Sequence, residues 1–206
     1  MRQYFGISIT LWLIIANAAV FLMVNAVPDL RPLLALQGYA ILHGSYLWTL
    51  ITSMFTHFDV LHIMFNMLAL FFIGQYVEEI LGAKRFLLTY FAGGVMGGLF
   101  FILWDIIILG HHATAVGASG AIFGIFAALA ILRPDQRVFL FPFPVPITLP
   151  VAVVIAFFAA MFIYGGFTSV ANSAHLGGIV GGAICGYYFR KRIGTAYGYD
   201  PYGDYY

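Results

Sequence analysis

The sequence predicts an all-α membrane protein, six transmembrane helices in one bundle with a partly embedded first loop. Three observations carry that prediction. Of 206 residues, 63% are hydrophobic and only 8% are charged, whereas soluble domains are about one quarter charged. Mean hydropathy is +0.97. Six apolar segments reach or approach the roughly 20 residues that a helix needs to cross a bilayer.

The first span is read at 6–27. Arg2 precedes it and no A-x-A-like exit occurs before Pro28, so a retained span is expected, not a cleaved signal peptide. The connection over 28–59 holds Pro28, Pro32, Tyr39, Tyr46 and Trp48 with few charges. It is too apolar for a solvated linker and too broken for a span, which predicts an interfacial or partly embedded loop. The second and third spans are read at 60–81 and 86–104, and the short fourth at 116–132. The fifth, 147–165, follows Pro142, Pro144 and Pro146 and tolerates Pro150 in its first turn. The sixth is read at 172–190. One membrane domain is expected over 1–194, followed by a Tyr/Gly-rich tail over 195–206 that is expected to be disordered.

Basic residues set the expected orientation. With the N-terminus inside, Arg2, Lys84, Arg85, Arg133, Arg137, Arg190, Lys191 and Arg192 all fall inside, and Arg31 alone falls outside. That bias predicts cytoplasmic N- and C-termini. A net charge of +1 gives no reason to expect a nucleic-acid partner. Cys185, the lone cysteine, reads as a small buried apolar residue.

The chemistry centres on Gly117-Ala118-Ser119-Gly120, which opens the fourth span. A serine hydroxyl needs a base to become a nucleophile, and His175, opening the sixth span, is the candidate. Helix residues four apart share a face, so Gly178, Gly182 and Gly186 run along a stripe below His175, widened by Gly177 and Gly181. Small residues at that spacing let helices approach closely. Gly117, Gly120 and Gly124 of the fourth span offer a matching surface, which would bring His175 to Ser119. On the second span, His62 and Asn66 lie one turn apart on one face and can both donate to an oxyanion. His57 reads as a loop-ordering residue, and His43, His111 and His112 as solvated loop residues. Taken singly, each feature has a structural alternative: a serine bonding back to its own helix, a glycine packing face, interhelical hydrogen bonds.

Other chemistries fit less well. H-E-x-x-H is absent, and Glu78 and Glu79 are the only glutamates. Asp29, Asp59, Asp105, Asp135, Asp200 and Asp204 fall in loops, at span ends or in the tail, so neither an aspartyl dyad nor a carboxylate partner for His175 is expected. Ala121 breaks the G-x-S-x-G pattern of soluble hydrolases. No metal or cofactor is expected.

Taken together these residues resemble the rhomboid family of intramembrane serine proteases, over roughly 48–190. The motifs are Gly117-Ala118-Ser119-Gly120, Ala174-His175-Leu176-Gly177-Gly178 and His62-Ile63-Met64-Phe65-Asn66, preceded by Leu50-Ile51-Thr52-Ser53-Met54-Phe55-Thr56-His57. Their order resembles the six-span prokaryotic form. The resemblance implies Ser119 as nucleophile and His175 as general base. It implies an oxyanion hole of His62, Asn66 and the Ser119 backbone N–H, with His57 in support and Gly117 keeping space open above the serine. It further implies single-span transmembrane substrates in the lipid bilayer, cut near the outer face, and a cap in the loop near 164–172, with Gly165 and Gly166. Without an organellar targeting segment, a prokaryotic plasma membrane is the expected location. Two departures stand out. Thr49 follows Trp48 where the family often has arginine. Phe123, on the face of Ser119, stands where a tyrosine often stacks on the histidine. A catalytically silent, client-binding relative is the main alternative, and a small-solute channel a second.

Overall fold

The computed structural model describes residues 7–139, 145–163 and 171–197. Among them six long helices follow one another: α1 (Ile9–Ala26), α2 (Val60–Leu81), α3 (Ala83–Ile108), α4 (Ser119–Leu132), α5 (Leu149–Ile163) and α6 (Ala171–Tyr197). By length and hydropathy α1, α2 and α3 can each cross a membrane, while α4 and α5 are shorter apolar helices. Large apolar side chains are exposed on most of these helices, including Trp12, Leu22, Phe72, Ile107, Val154 and Tyr187. Such an outer surface belongs in lipid, because a chain folded in water would bury it. The chain is an integral membrane protein.

Local signals explain the helix ends. Ser8 caps α1 by accepting the Leu11 N–H. The Glu78 carboxylate from α2 takes the next donors, the N–H groups of Ile9 and Thr10 at 2.9 Å and the Thr10 hydroxyl at 2.7 Å. Free N–H groups at a helix start need such acceptors, most of all away from water. Asp59 caps α2 through the His62 N–H at 2.7 Å. Gly82, at φ +76°, reverses the chain between α2 and α3, a backbone state that suits glycine.

The connection over 28–59 is a series of short helical turns, Pro28–Leu30, Arg31–Leu34, Gly38–Leu42, Thr49–Thr52 and Ser53–Phe55. It is stitched to itself and to the bundle. The Trp48 indole donates to the Leu33 carbonyl and the Thr52 hydroxyl to that of Leu34, both at 2.9 Å. Leu36 pairs with Ala115 ahead of α4. Thr49, standing where the family often has arginine, is fully buried; its hydroxyl donates to Tyr46 and accepts the Gln37 N–H. Arg31 instead lies over the Phe58 ring and donates to Asn25.

Three expectations need correcting. α3 does not stop near 104 but continues through a π-helical stretch, Ile102–Ile108. That carries Asp105 into the protein, where it is 4% exposed, although the sequence placed it at a span end. A small antiparallel hairpin, Arg137–Phe139 (β1) with Pro146–Thr148 (β2), occupies part of the proline-rich connection between α4 and α5. α6 runs past the expected boundary at 194 to Tyr197. The remainder of the tail, and 164–170 of the expected cap, lie outside the described residues.

α3, α4 and α6 form the centre. α4 is apolar all round and buried along most of its length, as befits a helix enclosed by others. Glycines set the spacing. A Cβ built on Gly178 would lie 2.1 Å from the Gly120 carbonyl oxygen, and one on Gly182 would lie 1.8 Å from that of Gly124. Gly177 and Gly181 meet α3 instead, against the Met96 and Ala92 carbonyls. The two stripes of α6 thus serve two neighbours, and backbones approach as only small residues permit.

Candidate active site

Ser119 is the first residue of α4, so its N–H belongs to the helix-start group without intrahelical acceptors and faces the positive end of the helix dipole. His175 stands in the second turn of α6. The close α4–α6 approach brings them together: His175 Nε2 lies 2.8 Å from Ser119 Oγ. His175 is 2% exposed and its Nδ1 has no hydrogen-bond partner among the described residues. Nε2 can take the serine proton when the ring carries its own proton on Nδ1.

Packing holds the ring. Phe123, one turn below Ser119, lies with its centroid 4.7 Å from that of His175 and also meets Phe157 of α5. Truncation as Phe123→Ala should loosen His175 and lower turnover by up to about 10²-fold, since a misplacement near 1 Å can cost that much. Steady-state hydrolysis by folded variant protein tests this; unchanged turnover would remove Phe123 from the site.

The residues before Ser119 are fixed by the segment ahead of α2. Gly117 N–H donates to the Ser53 carbonyl at 2.9 Å. Ala118 N–H donates to His57 Nε2 at 3.4 Å. His57 is fully buried, and burial, with the nearby His62 ring, pushes its pKa down to about 3. At neutral pH it is therefore an uncharged acceptor, which suits the bond to Ala118.

Gly117 is required on two counts. Its φ of +115° lies in the region that disfavours side chains, and a Cβ there would lie 2.6 Å from His62 Nε2 and 3.8 Å from Asn66 Nδ2. Both side chains therefore converge on the open space over Gly117, next to Ser119. Asn66 is buried and spends one N–H on the His62 carbonyl at 3.0 Å; an amide has two such protons, which leaves one for a ligand.

The structure thus gathers Ser119, His175, His62, Asn66, Gly117, Phe123 and His57 at one place. His43 and His112 lie elsewhere, against the Tyr39 ring on the surface. The sequence reading did not foresee that Asp105 is buried and accepts the Ser173 hydroxyl. Asp105 sits inside the apolar run 102–109, and an acid in such a run was the available signal. No group of three residues suited to a metal occurs among the described residues.

Fold and site together define an integral membrane helical bundle with a serine and a histidine within hydrogen-bond distance. The model for the rhomboid domain matches residues 44–192, and the chain belongs to the rhomboid family. It is similar to the mitochondrial Rhomboid protein 1 of Saccharomyces cerevisiae, 35% identical over 167 residues, covering 77% of this chain and 47% of that protein. It is 32% identical over 136 residues to Rhomboid protease GluP of Bacillus subtilis, covering 66% and 24%. It is also 26% identical over 146 residues to Inactive RHOMBOID-like protein 8 of Arabidopsis thaliana, covering 70% and 39%. The chain spans less than half the length of each of these relatives.

Proposed function

We propose that the protein is an intramembrane serine protease that hydrolyses peptide bonds of single-span transmembrane proteins near the outer membrane face. The observation that carries this reading is the 2.8 Å contact between His175 Nε2 and Ser119 Oγ. In this reading His175 takes the Ser119 proton as the oxygen attacks the scissile carbonyl. The carbonyl oxygen becomes an anion and receives hydrogen bonds from the Ser119 N–H, Asn66 and His62 in the space over Gly117. His175 then gives its proton to the leaving amine, and the acyl-enzyme is released by a water that His175 activates in turn. A helix hides its carbonyls, so the substrate must unwind locally, which favours small or helix-breaking residues at the cut. All six helices cross the membrane in this reading, with both termini cytoplasmic, and a prokaryotic plasma membrane is the proposed location.

The inactive relative supports a rival, a client-binding protein without chemistry. The presence of both Ser119 and His175 within hydrogen-bond distance favours the hydrolase. The test is reconstitution in liposomes with a single-span substrate that carries helix-breaking residues near its outer boundary. Mass spectrometry should find one cut at those residues. A bound but intact substrate would support the rival, and cutting at the opposite boundary would overturn the orientation. Within the same assay Asn66→Ala should slow cleavage by about 10²–10³, the usual cost of one oxyanion donor, with substrate affinity little changed.

A further inference from the structure

We infer that Asp105 is a positioning residue for the Ser119–His175 pair, acting through Ser173. This rests on the hydrolase reading and extends it. Among the described residues Asp105 is the one buried carboxylate. A carboxylate away from water is costly unless hydrogen bonds meet it, and here one comes from the helix that delivers His175. Its Oδ2 accepts the Ser173 hydroxyl proton in the first turn of α6. Its Oδ1 lies 3.8 Å from His111 Nδ1, and its backbone carbonyl accepts the His111 N–H at 2.8 Å. His111 lies in the connection over 109–118 between α3 and α4. The carboxylate therefore joins the end of α3 to the start of α6, and its charge suits the positive end of α6.

The geometry gives this junction a specific task. Ser173 and His175 are two residues apart, about 200° around the helix, so Asp105 grips α6 on the face roughly opposite the imidazole. Two anchor points on opposite faces fix the rotation of that first turn. A side-chain tip about 5–6 Å from the helix axis moves by about 1 Å when the helix turns by about 10°. That displacement is enough to cost about 10² in rate. With no carboxylate on His175 Nδ1 among the described residues, the orientation of the ring is set through its helix and through Phe123.

The test compares wild type, Asp105→Ala, Asp105→Asn, Ser173→Ala and the double alanine variant in detergent. Three quantities are read: the second-order rate of Ser119 labelling by a fluorophosphonate, the imidazole ¹⁵N resonances of His175, and thermal stability. Each single alanine change should slow labelling by about ten- to a hundredfold and shift the His175 resonances. The double variant should be no slower than the slower single, because both remove one link. Asp105→Asn, which keeps an acceptor for Ser173, should recover most of the rate. Unchanged labelling and resonances in folded Asp105→Ala and Ser173→Ala would overturn the inference, as would losses that multiply in the double variant. If Asp105→Ala does not fold, Ser173→Ala against Ser173→Thr decides: recovery by threonine supports the link, and equal rates overturn it. Absence of labelling in wild type would sink the hydrolase reading alone. The His175 resonances would then still decide the link, supporting it if they shift in Ser173→Ala and overturning it if they do not.

Discussion

Ser119→Ala and His175→Ala should each remove fluorophosphonate labelling and substrate cleavage while leaving the protein folded. The loss should be on the order of 10⁶ in turnover, the scale seen when a serine nucleophile or its histidine is deleted from a comparable hydrolase. The two losses should not multiply in the double variant, since the base acts only on that nucleophile. The first change touches little packing, and the second removes one buried ring while leaving the helix contacts around it in place. Ser119 is only half-buried, and His175 keeps its helix position through the glycine stripes beneath it. Thermal unfolding in detergent should therefore stay close to wild type, which separates lost chemistry from lost fold. Labelling that persists in His175→Ala would point to a different base and would unseat the pair, despite the 2.8 Å contact.

Much of this arrangement was legible in the sequence for a physical reason. A bilayer restricts backbone to helices wherever lipid is met, so runs of apolar residues map onto elements with little ambiguity. Small-xxx-small spacing likewise translates directly into close helix contact, which is why Gly178, Gly182 and Gly124 announced the α4–α6 pairing. Ser119, His175, His62 and Asn66 were readable because polar groups at that depth are few. Gly117 was readable as a residue that leaves space, but not as one at φ +115°, because a backbone angle leaves no periodic trace.

Other features depended on tertiary detail. The π-helical end of α3 has no composition of its own, since apart from Asp105 the stretch Ile102–Ile108 is as apolar as what precedes it. Without that stretch Asp105 reads as a boundary residue, and its bond to Ser173, 68 positions away, has no local signal. The reach of Glu78 to the first turn of α1 is equally non-local. The hairpin of β1 and β2 was hidden because prolines usually argue against strands, although Pro146 fits at a strand end.

The second large effect concerns fold, and one methyl group should produce it. In Gly182→Ala the new Cβ would lie 1.8 Å from the Gly124 carbonyl oxygen. Ordinary contact is about 3.5 Å, so α4 and α6 would have to separate by roughly 1.5–2 Å, and the obstacle is backbone that has no rotamer to change. Overpacking of a tight interior costs about 1–3 kcal/mol and occasionally more, and here it falls on the pair of helices that carries the dyad. Gly182 is seven residues below His175, about 10 Å along the axis, so the separation is transmitted to the Ser119 contact with little attenuation. Gly178→Ala, with its Cβ 2.1 Å from the Gly120 oxygen, and Gly186→Ala, 2.8 Å from Ala128, form a graded series. Thermal stability and labelling rate should both fall in the order Gly186, Gly178, Gly182. Ile184→Ala on the same helix, whose side chain is 60% exposed, should behave like wild type. A Gly182→Ala protein that melts and labels as wild type does would mean that α4 and α6 are not held together by backbone contact, and the proximity of Ser119 to His175 would then need another cause.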